Sequence, residues 1–412
     1  MQRLVFISAV CVWTLTSVAT ANDDWPAWRG PRGDGISPGA QAPLRWSETE
    51  NIVWKTAIPS VGRSSVIVVG GRVFVTTGVA ADSSRRVLSL DRADGRILWN
   101  VAVFTGPEGT MHRFNTTASS TPASDGRHVF AVFHDDQGLY VFALDFEGQV
   151  VWSKRVGAYF SNHGFAASPL LYEDGVIVNG QQDGDAFVVM LNRWTGAELW
   201  RYVPAVKLRS FSTPVLTAHN GEEQLILAGS MQTVALNPRT GNVLWSADGP
   251  SEKFVATPSV GHGLVFSFGG SPNKKGMAVR LGGTGDVTAT HIAWRNERSM
   301  PYVPSPLLLG DYLHVVNDQG IYTCLEPRTG KVLFSGRKFG PVYSSPIAVG
   351  DRIYQFEDSG GCTVIANEPE FRELARNELH ELVQTTPAFS RGQLFIRGEK
   401  HVYCIGNGNT PR

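Results

Sequence analysis

The sequence predicts an all-β fold: an eight-bladed β-propeller of four-stranded antiparallel blades, closed by a strand from near the N-terminus. Three observations predict it. A turn leading to a tryptophan recurs down the chain, and a small-residue-plus-proline element recurs upstream of each copy. The last copy is one strand short, while an orphan strand stands near the start. Self-similarity at a period of about 40–50 residues marks a propeller or solenoid.

The turn runs Asp91 to Gly95 before Trp99, Asn192 to Gly196 before Trp200, Asn237 to Gly241 before Trp245, and Glu326 to Gly330 before Phe334. A shorter copy, Asp145-Phe146-Glu147-Gly148, precedes Trp152. An Asp or Asn side chain caps such a turn, and glycine supplies positive φ. The tryptophan then falls on the next strand, where its flat ring can pack against the neighbouring copy. The expected docking positions are therefore Gly95, Trp99, Trp152, Gly196, Trp200, Gly241, Trp245, Gly330 and Phe334.

The second marker counts the copies. It reads Ser120-Thr121-Pro122, Ala167-Ser168-Pro169, Ser212-Thr213-Pro214, Ala256-Thr257-Pro258, Pro304-Ser305-Pro306, Ser344-Ser345-Pro346 and Thr385-Thr386-Pro387, with Ser64-Ser65-Val66 in the same slot without proline. Proline sacrifices no ladder bond at a strand start or on a free edge, and the innermost strand of a blade has such an edge. From Ser120 to Trp152 the chain holds four short apolar segments punctuated by Asp125-Gly126, Asp135 to Gly138 and Glu147-Gly148. That is the pattern of a four-stranded unit. The eighth start passes through Gln393–Ile396 and His401–Ile405 and then lacks a tryptophan strand. Asn51-Ile52-Val53-Trp54-Lys55 is a tryptophan strand with no unit before it. Joining the two closes the ring and removes both open edges. The propeller is expected over residues 46–406, with a tail at 407–412.

Composition agrees. With 44 Gly, 23 Pro and 42% hydrophobic residues, the chain suits a turn-rich β protein. Its 37 basic side chains balance 37 acidic ones with no long run of either sign, which weighs against nucleic acid or an anionic membrane as partner. Residues 1–21 read as a signal peptide: Gln2-Arg3, an apolar stretch from Leu4 to Val18, then Ala19-Thr20-Ala21 as a cleavage site. The competing reading is a membrane anchor, which needs about 20 apolar residues. The expected location is periplasmic or secreted, with residues 22–45 as a leader packed on the ring. Beyond the signal, Cys324, Cys362 and Cys404 are odd in number and cannot all pair. Cys324 and Cys404 fall in the slot that holds Ala143 or Ala235 in other copies, as buried thiols filling strand interior.

The unit of Asp or Asn, Thr-Gly and Trp resembles the tryptophan-docking repeat of pyrroloquinoline quinone (PQQ)-like propellers over residues 46–406. The leader, Trp25-Pro26-Ala27-Trp28-Arg29-Gly30 and on to Ser37, resembles that of exported bacterial PQQ-like propellers, the BamB-like group. The leader is expected to lie across the ring with Trp25 and Trp28 as anchors. In the quinoprotein dehydrogenases of this superfamily, PQQ lies over a Trp and under a disulfide of adjacent cysteines, with calcium on Glu and Asn and a catalytic Asp. This sequence has no adjacent cysteine pair, and no carboxylate spacing builds a hard-cation cage. No cofactor, PQQ or calcium included, and no metal ligand or catalytic residue is assigned.

Function must then come from a site. In a propeller the loops between blades share one face with the loops joining second and third strands. The first set carries His112, Arg113, Phe114, Asn115, Tyr159, Phe160, His163, Tyr302 and Tyr343; the second carries His134-Asp135-Asp136, Gln181-Gln182-Asp183, Asn273-Lys274-Lys275, Asn317-Asp318-Gln319 and Glu357-Asp358. Aromatics mixed with His and Arg suit a partner-binding funnel; the plainer reading is polar loops with aromatics capping blade edges. His112, His134 and His163 sit on adjacent units, but no short ligand spacing supports a metal. Two functions stay open. One is a monomeric, exported, non-catalytic scaffold binding an envelope protein, peptide or glycan. The other is a PQQ-type oxidoreductase with an unconventional cofactor site.

Overall fold

In the computed structural model, residues 23–37 and 41–407 are described. The expected signal peptide at 1–21 and the tail beyond 407 lie outside the described residues. The chain forms eight sheets, each with a four-stranded antiparallel core, in an eight-bladed β-propeller. The innermost strands are Ile67–Val69, Ala123–Ser124, Leu170–Tyr172, Val215–His219, Ser259–Gly261, Leu307–Leu309, Ile347–Val349 and Ala388–Ser390, opening blades one to eight in that order.

Blade eight is completed by the strand Ile52–Ala57, which pairs antiparallel with His401–Gly406, Trp54 lying opposite Cys404. The orphan strand and the incomplete unit are the two halves of one sheet.

Each docking ring reaches the next blade. Trp54 Nε1 donates to the Arg92 carbonyl (2.9 Å), Trp99 to Phe146 (2.7 Å), Trp152 to Arg193 (2.9 Å), Trp200 to Pro238 (2.9 Å) and Trp294 to Pro327 (2.8 Å). These carbonyls belong to the glycine turn of the following blade, whose glycine lies directly beneath the ring. One device aims every ring. In each blade the outermost strand skips one residue in register just before the docking position, as between Val243 and Trp245 or Ile52 and Trp54. Such a bulge bends the strand and re-aims the next side chain. Opposite the ring sits Ala143, Ala235, Ala278, Cys324 or Cys404 in five of the blades. The thiols of Cys324 and Cys404 thus fill the small-residue slot, buried and unpaired like Cys362.

Three seams depart from the rule. Trp245 bonds back to Gln224 Oε1 (3.0 Å), because the longer turn of blade five lays Gly285–Asp286 alongside it as a fifth, parallel strand. Phe334 stacks on Phe371 of blade seven at 6.4 Å between ring centroids. Blade seven has Ala375 in the docking slot. There Trp46, from the approach to the closing strand, stacks on Tyr354 and Phe356 (6.4 and 6.2 Å). Its amide is fixed by Asn377 Oδ1 (2.9 Å).

The leader crosses one end of the ring. Trp25 exchanges backbone hydrogen bonds with Val68 of blade one, and the Pro26 carbonyl accepts from Ser124 of blade two. Arg29 Nη2 donates to the Pro306 carbonyl at the entry to blade six (2.8 Å), and Ile36–Ser37 adds a parallel strand to blade seven.

Candidate functional site

The leader turns the central channel into a one-ended cavity. Its volume is about 460 Å³, with Trp28 at the leader end and the loops between blades at the mouth. Cavities of this size suit small ligands or an inserted peptide side chain.

The wall is a ring of hydroxyls. The amide of Ser65 donates to Thr121 Oγ1 (2.8 Å), that of Thr121 to Ser168 Oγ (3.2 Å), and that of Ser168 to Thr213 Oγ1 (3.0 Å). Thr213 then donates to Thr257 (3.1 Å), Thr257 to Ser305 (2.9 Å), Ser305 to Ser345 (2.9 Å) and Ser345 to Thr386 (3.2 Å). Thr386 returns to Ser65 Oγ (3.0 Å). These are the residues of the second sequence marker. Each buried amide next to the channel is satisfied by the hydroxyl of the following blade, so the ring is hydrogen-bonded all the way round.

At the mouth the structure brings most of the sequence candidates together. Phe114 reaches over the rim to Tyr343 (centroids 5.7 Å apart), with the Arg113 guanidinium 4.6 Å from the Phe114 ring. His112 lies 5.2 Å from Phe114 and stacks on His163 at 5.3 Å. His163 continues to Phe211 at 6.1 Å. Asn115 Nδ2 ties this band together by donating to the His163 carbonyl (2.6 Å). Burial, then the nearby Arg209 and His112, hold His163 below its ordinary pKa. Tyr302 borders the cavity from the far side, its ring against Gly270.

Two candidates fall elsewhere. Tyr159 is buried between blades two and three, its Oη donating to the Gly164 carbonyl (3.1 Å) and its ring meeting Phe165 edge-on. Phe160 is 54% exposed and outside the cavity, because its amide is pinned to Gln182 Oε1. Tyr159 and Phe160, which belong to the same loop set as Arg113 and Phe114, therefore do not join them at the mouth. Adjacent loops do not imply that side chains point the same way.

The carboxylates of the second set have a structural task. Asp318 Oδ1 accepts from the Val303 amide and Oδ2 from the Tyr302 amide (both 3.0 Å), with Lys274 Nζ at 2.8 Å. Asp358 accepts from the Tyr343 amide (3.0 Å) and Gln384 Nε2 (2.9 Å); Asp183 holds Arg209; Asp136 caps the Thr110 amide (2.9 Å). These acids brace the mouth loops. His134 is buried against Tyr159, with burial and Arg85 lowering its pKa to about 4.

The residues do not fit PQQ with calcium. Trp28 provides a flat surface, but Cys324, Cys362 and Cys404 are buried singly in separate blades. The oxygens of Asp318, the acid on the wall, already hold two amides and a lysine. Among the described residues no group of three His, Cys, Asp or Glu is placed to hold a metal. Sequence reasoning did not single out Arg63, Phe211 or Gln384 as site residues; Phe211 stands just before the marker Ser212-Thr213-Pro214, a position with no fixed chemistry in the other copies.

A family model described as outer membrane protein assembly factor BamB matches residues 44–119 and 83–336. Among solved structures, BamB from Moraxella catarrhalis superposes with a TM-score of 0.59 at 15% identity, covering 87% of this chain and 99% of that one. Quinohemoprotein alcohol dehydrogenase from Comamonas testosteroni gives 0.66 at 12% identity, covering 96% and 82%. Quinohemoprotein alcohol dehydrogenase ADHIIG from Pseudomonas putida HK5 gives 0.61 at 13% identity, covering 95% and 81%. At such identities these likenesses speak for the fold alone. No protein of curated function matches at the sequence level. With the docking turns, the hydroxyl ring and a family match over most of its length, the chain belongs to the BamB-like family of PQQ-like β-propellers.

Proposed function

We propose that this protein is an exported, non-catalytic scaffold of the cell envelope, periplasmic or secreted, that binds a protein, peptide or glycan at the open mouth of the ring. The observation that carries it is the band from Tyr343 through Phe114 and His112 to His163 and Phe211, over a cavity closed at its other end by the leader. Aromatic rings and arginine give the large desolvated contacts that dominate interfaces. The acids that hydrolytic or redox chemistry would draw on are engaged in holding loops. In the second reading, a PQQ-type oxidoreductase, Trp28 would underlie the quinone; adding PQQ and calcium and measuring quinone absorbance with dye-linked alcohol oxidation tests it.

The scaffold reading is tested by replacing His112, Phe114 and Tyr343 together with Ala and comparing capture of envelope proteins, peptides and glycans. A matched set on the opposite face, Asp94, Arg239 and Arg328, serves as control. Loss confined to the mouth set is expected. Equal capture by both variants would overturn the reading.

A further inference from the structure

We propose that the seam between blades eight and one, beside the mouth, holds an oxyanion, a carboxylate or phosphate group, on Arg63, Arg113 and Arg397. The three side chains line one cavity of about 240 Å³. They come from three elements: Arg63 from the loop between the closing strand and blade one, Arg113 from the loop before blade two, and Arg397 from the end of the blade-eight strand Gln393–Arg397.

Arg397 is fully buried. Its Nη1 donates to Ser64 Oγ (3.0 Å) and to the Thr76 carbonyl, but Nε and Nη2 have no partner among the described residues. Arg63 Nε is likewise buried and unpartnered. No carboxylate forms an ion pair with Arg63, Arg113 or Arg397 among the described residues, whereas Arg86, Arg201, Arg209 and Arg372 each have one. Burial, and after it the like charge of Arg63, lower the Arg397 pKa to about 9. The acids acting on Arg63 are Glu399, exposed at the rim, and Asp358, already bonded to Tyr343 and Gln384.

Burying an unpaired cation is costly, and buried polar groups are otherwise hydrogen-bonded. A group with two or three charged oxygens answers both needs, because the planar guanidinium fork matches carboxylate and phosphate. Room has been kept for the fork: a Cβ on Gly62 would lie 2.3 Å from Arg397 Nη2. The plain alternative is that Arg397 is only a brace for Ser64 and Thr76. That accounts for Nη1 and leaves Nε and Nη2 of Arg397 and the buried Nε of Arg63 unexplained.

The site adjoins the mouth but does not depend on the scaffold reading, and small anions test it without any partner. Inorganic phosphate and succinate are titrated separately by calorimetry at low ionic strength, with chloride at matched ionic strength as control. Saturable binding and a rise in unfolding midpoint beyond that of chloride are expected. Phosphate alone, succinate alone or both binding identifies the group. Arg63→Gln combined with Arg113→Gln is expected to weaken binding at least about tenfold while unfolding normally in buffer, a loss of about 1.4 kcal/mol. Failure of both anions to exceed chloride, or full binding by the double variant, would overturn the proposal.

Discussion

The amide of Thr386 donates to Ser65 Oγ at 3.0 Å across 321 residues of sequence. It closes a hydrogen-bonded ring at the channel wall, just as Trp54 closes the outer rim by docking on the turn of blade one. Inner and outer closure therefore meet at the same seam, between blades eight and one. Whatever loosens one end of the chain there opens both edges at once.

Ser65→Ala removes the acceptor and leaves the buried Thr386 amide without a partner. The expected cost is about 1–3 kcal/mol, read as a lower urea midpoint, and Ser65→Thr restores most of it because Thr fills the same slot in other blades. An Ala variant as stable as wild type would show that the ring bond contributes nothing to closure.

Gly241 has φ +73°, and its α-carbon lies against the Trp200 ring, where a Cβ would sit 2.7 Å from Cε3. Gly241→Val is expected to cost about 1–3 kcal/mol in backbone strain, plus the displacement of that ring. Trp200→Ala costs about 3–5 kcal/mol through the cavity it leaves. The two changes touch the same contact, so a double-mutant cycle gives less than the sum. Trp245, four residues after Gly241, faces the next seam and is expected to add independently. Additivity for Gly241 with Trp200 would refute the docking geometry.

Much of this was legible in the sequence because repeats expose local chemistry: a turn needs Asp or Asn with Gly, and a free edge tolerates Pro. The eight starts and the orphan Trp54 strand follow from that. The hydroxyl of the second marker was visible in every copy, yet its task depends on a neighbouring blade about 45 residues away. The bulge before each ring carries no residue signature. Tyr159 and Phe160 are adjacent in sequence, and only packing decides that one turns inward and the other outward. Arg63 and Arg397 are more than 300 residues apart and meet only once the ring is shut.

Two imidazoles make stability depend on pH. Burial lowers His134 and His314 from 6.5 to about 4. Both are neutral in the folded protein near neutral pH, whereas an unfolded histidine gains a proton below about 6.5. Their contribution is complete above 6.5 and is lost as pH falls towards 4, by about 1.4 kcal/mol per pH unit for each ring. His134→Gln or His314→Gln should each flatten the dependence of unfolding free energy on pH in that window. An unchanged slope in both variants would count against neutral burial.

The mouth separates recognition from stability at single residues. Phe114 is 44% exposed and contacts Tyr343, His112 and Arg113, whereas Tyr159 is 3% exposed and packs among Phe165, His134 and the core of two blades. Tyr159→Ala removes a buried ring and is expected to cost about 3–5 kcal/mol, lowering the melting temperature and any binding only in proportion to unfolded protein. Phe114→Ala leaves the blade cores intact, so the melting temperature stays within experimental error while partner affinity falls by about 2 kcal/mol or more, as for an aromatic anchor at an interface. Phe160→Ala, outside the cavity, changes neither. The three variants are compared by thermal unfolding and by titration with a captured partner. Should Phe114→Ala bind as wild type while Phe160→Ala does not, the working surface lies outside the band and over the outer loops of blade three.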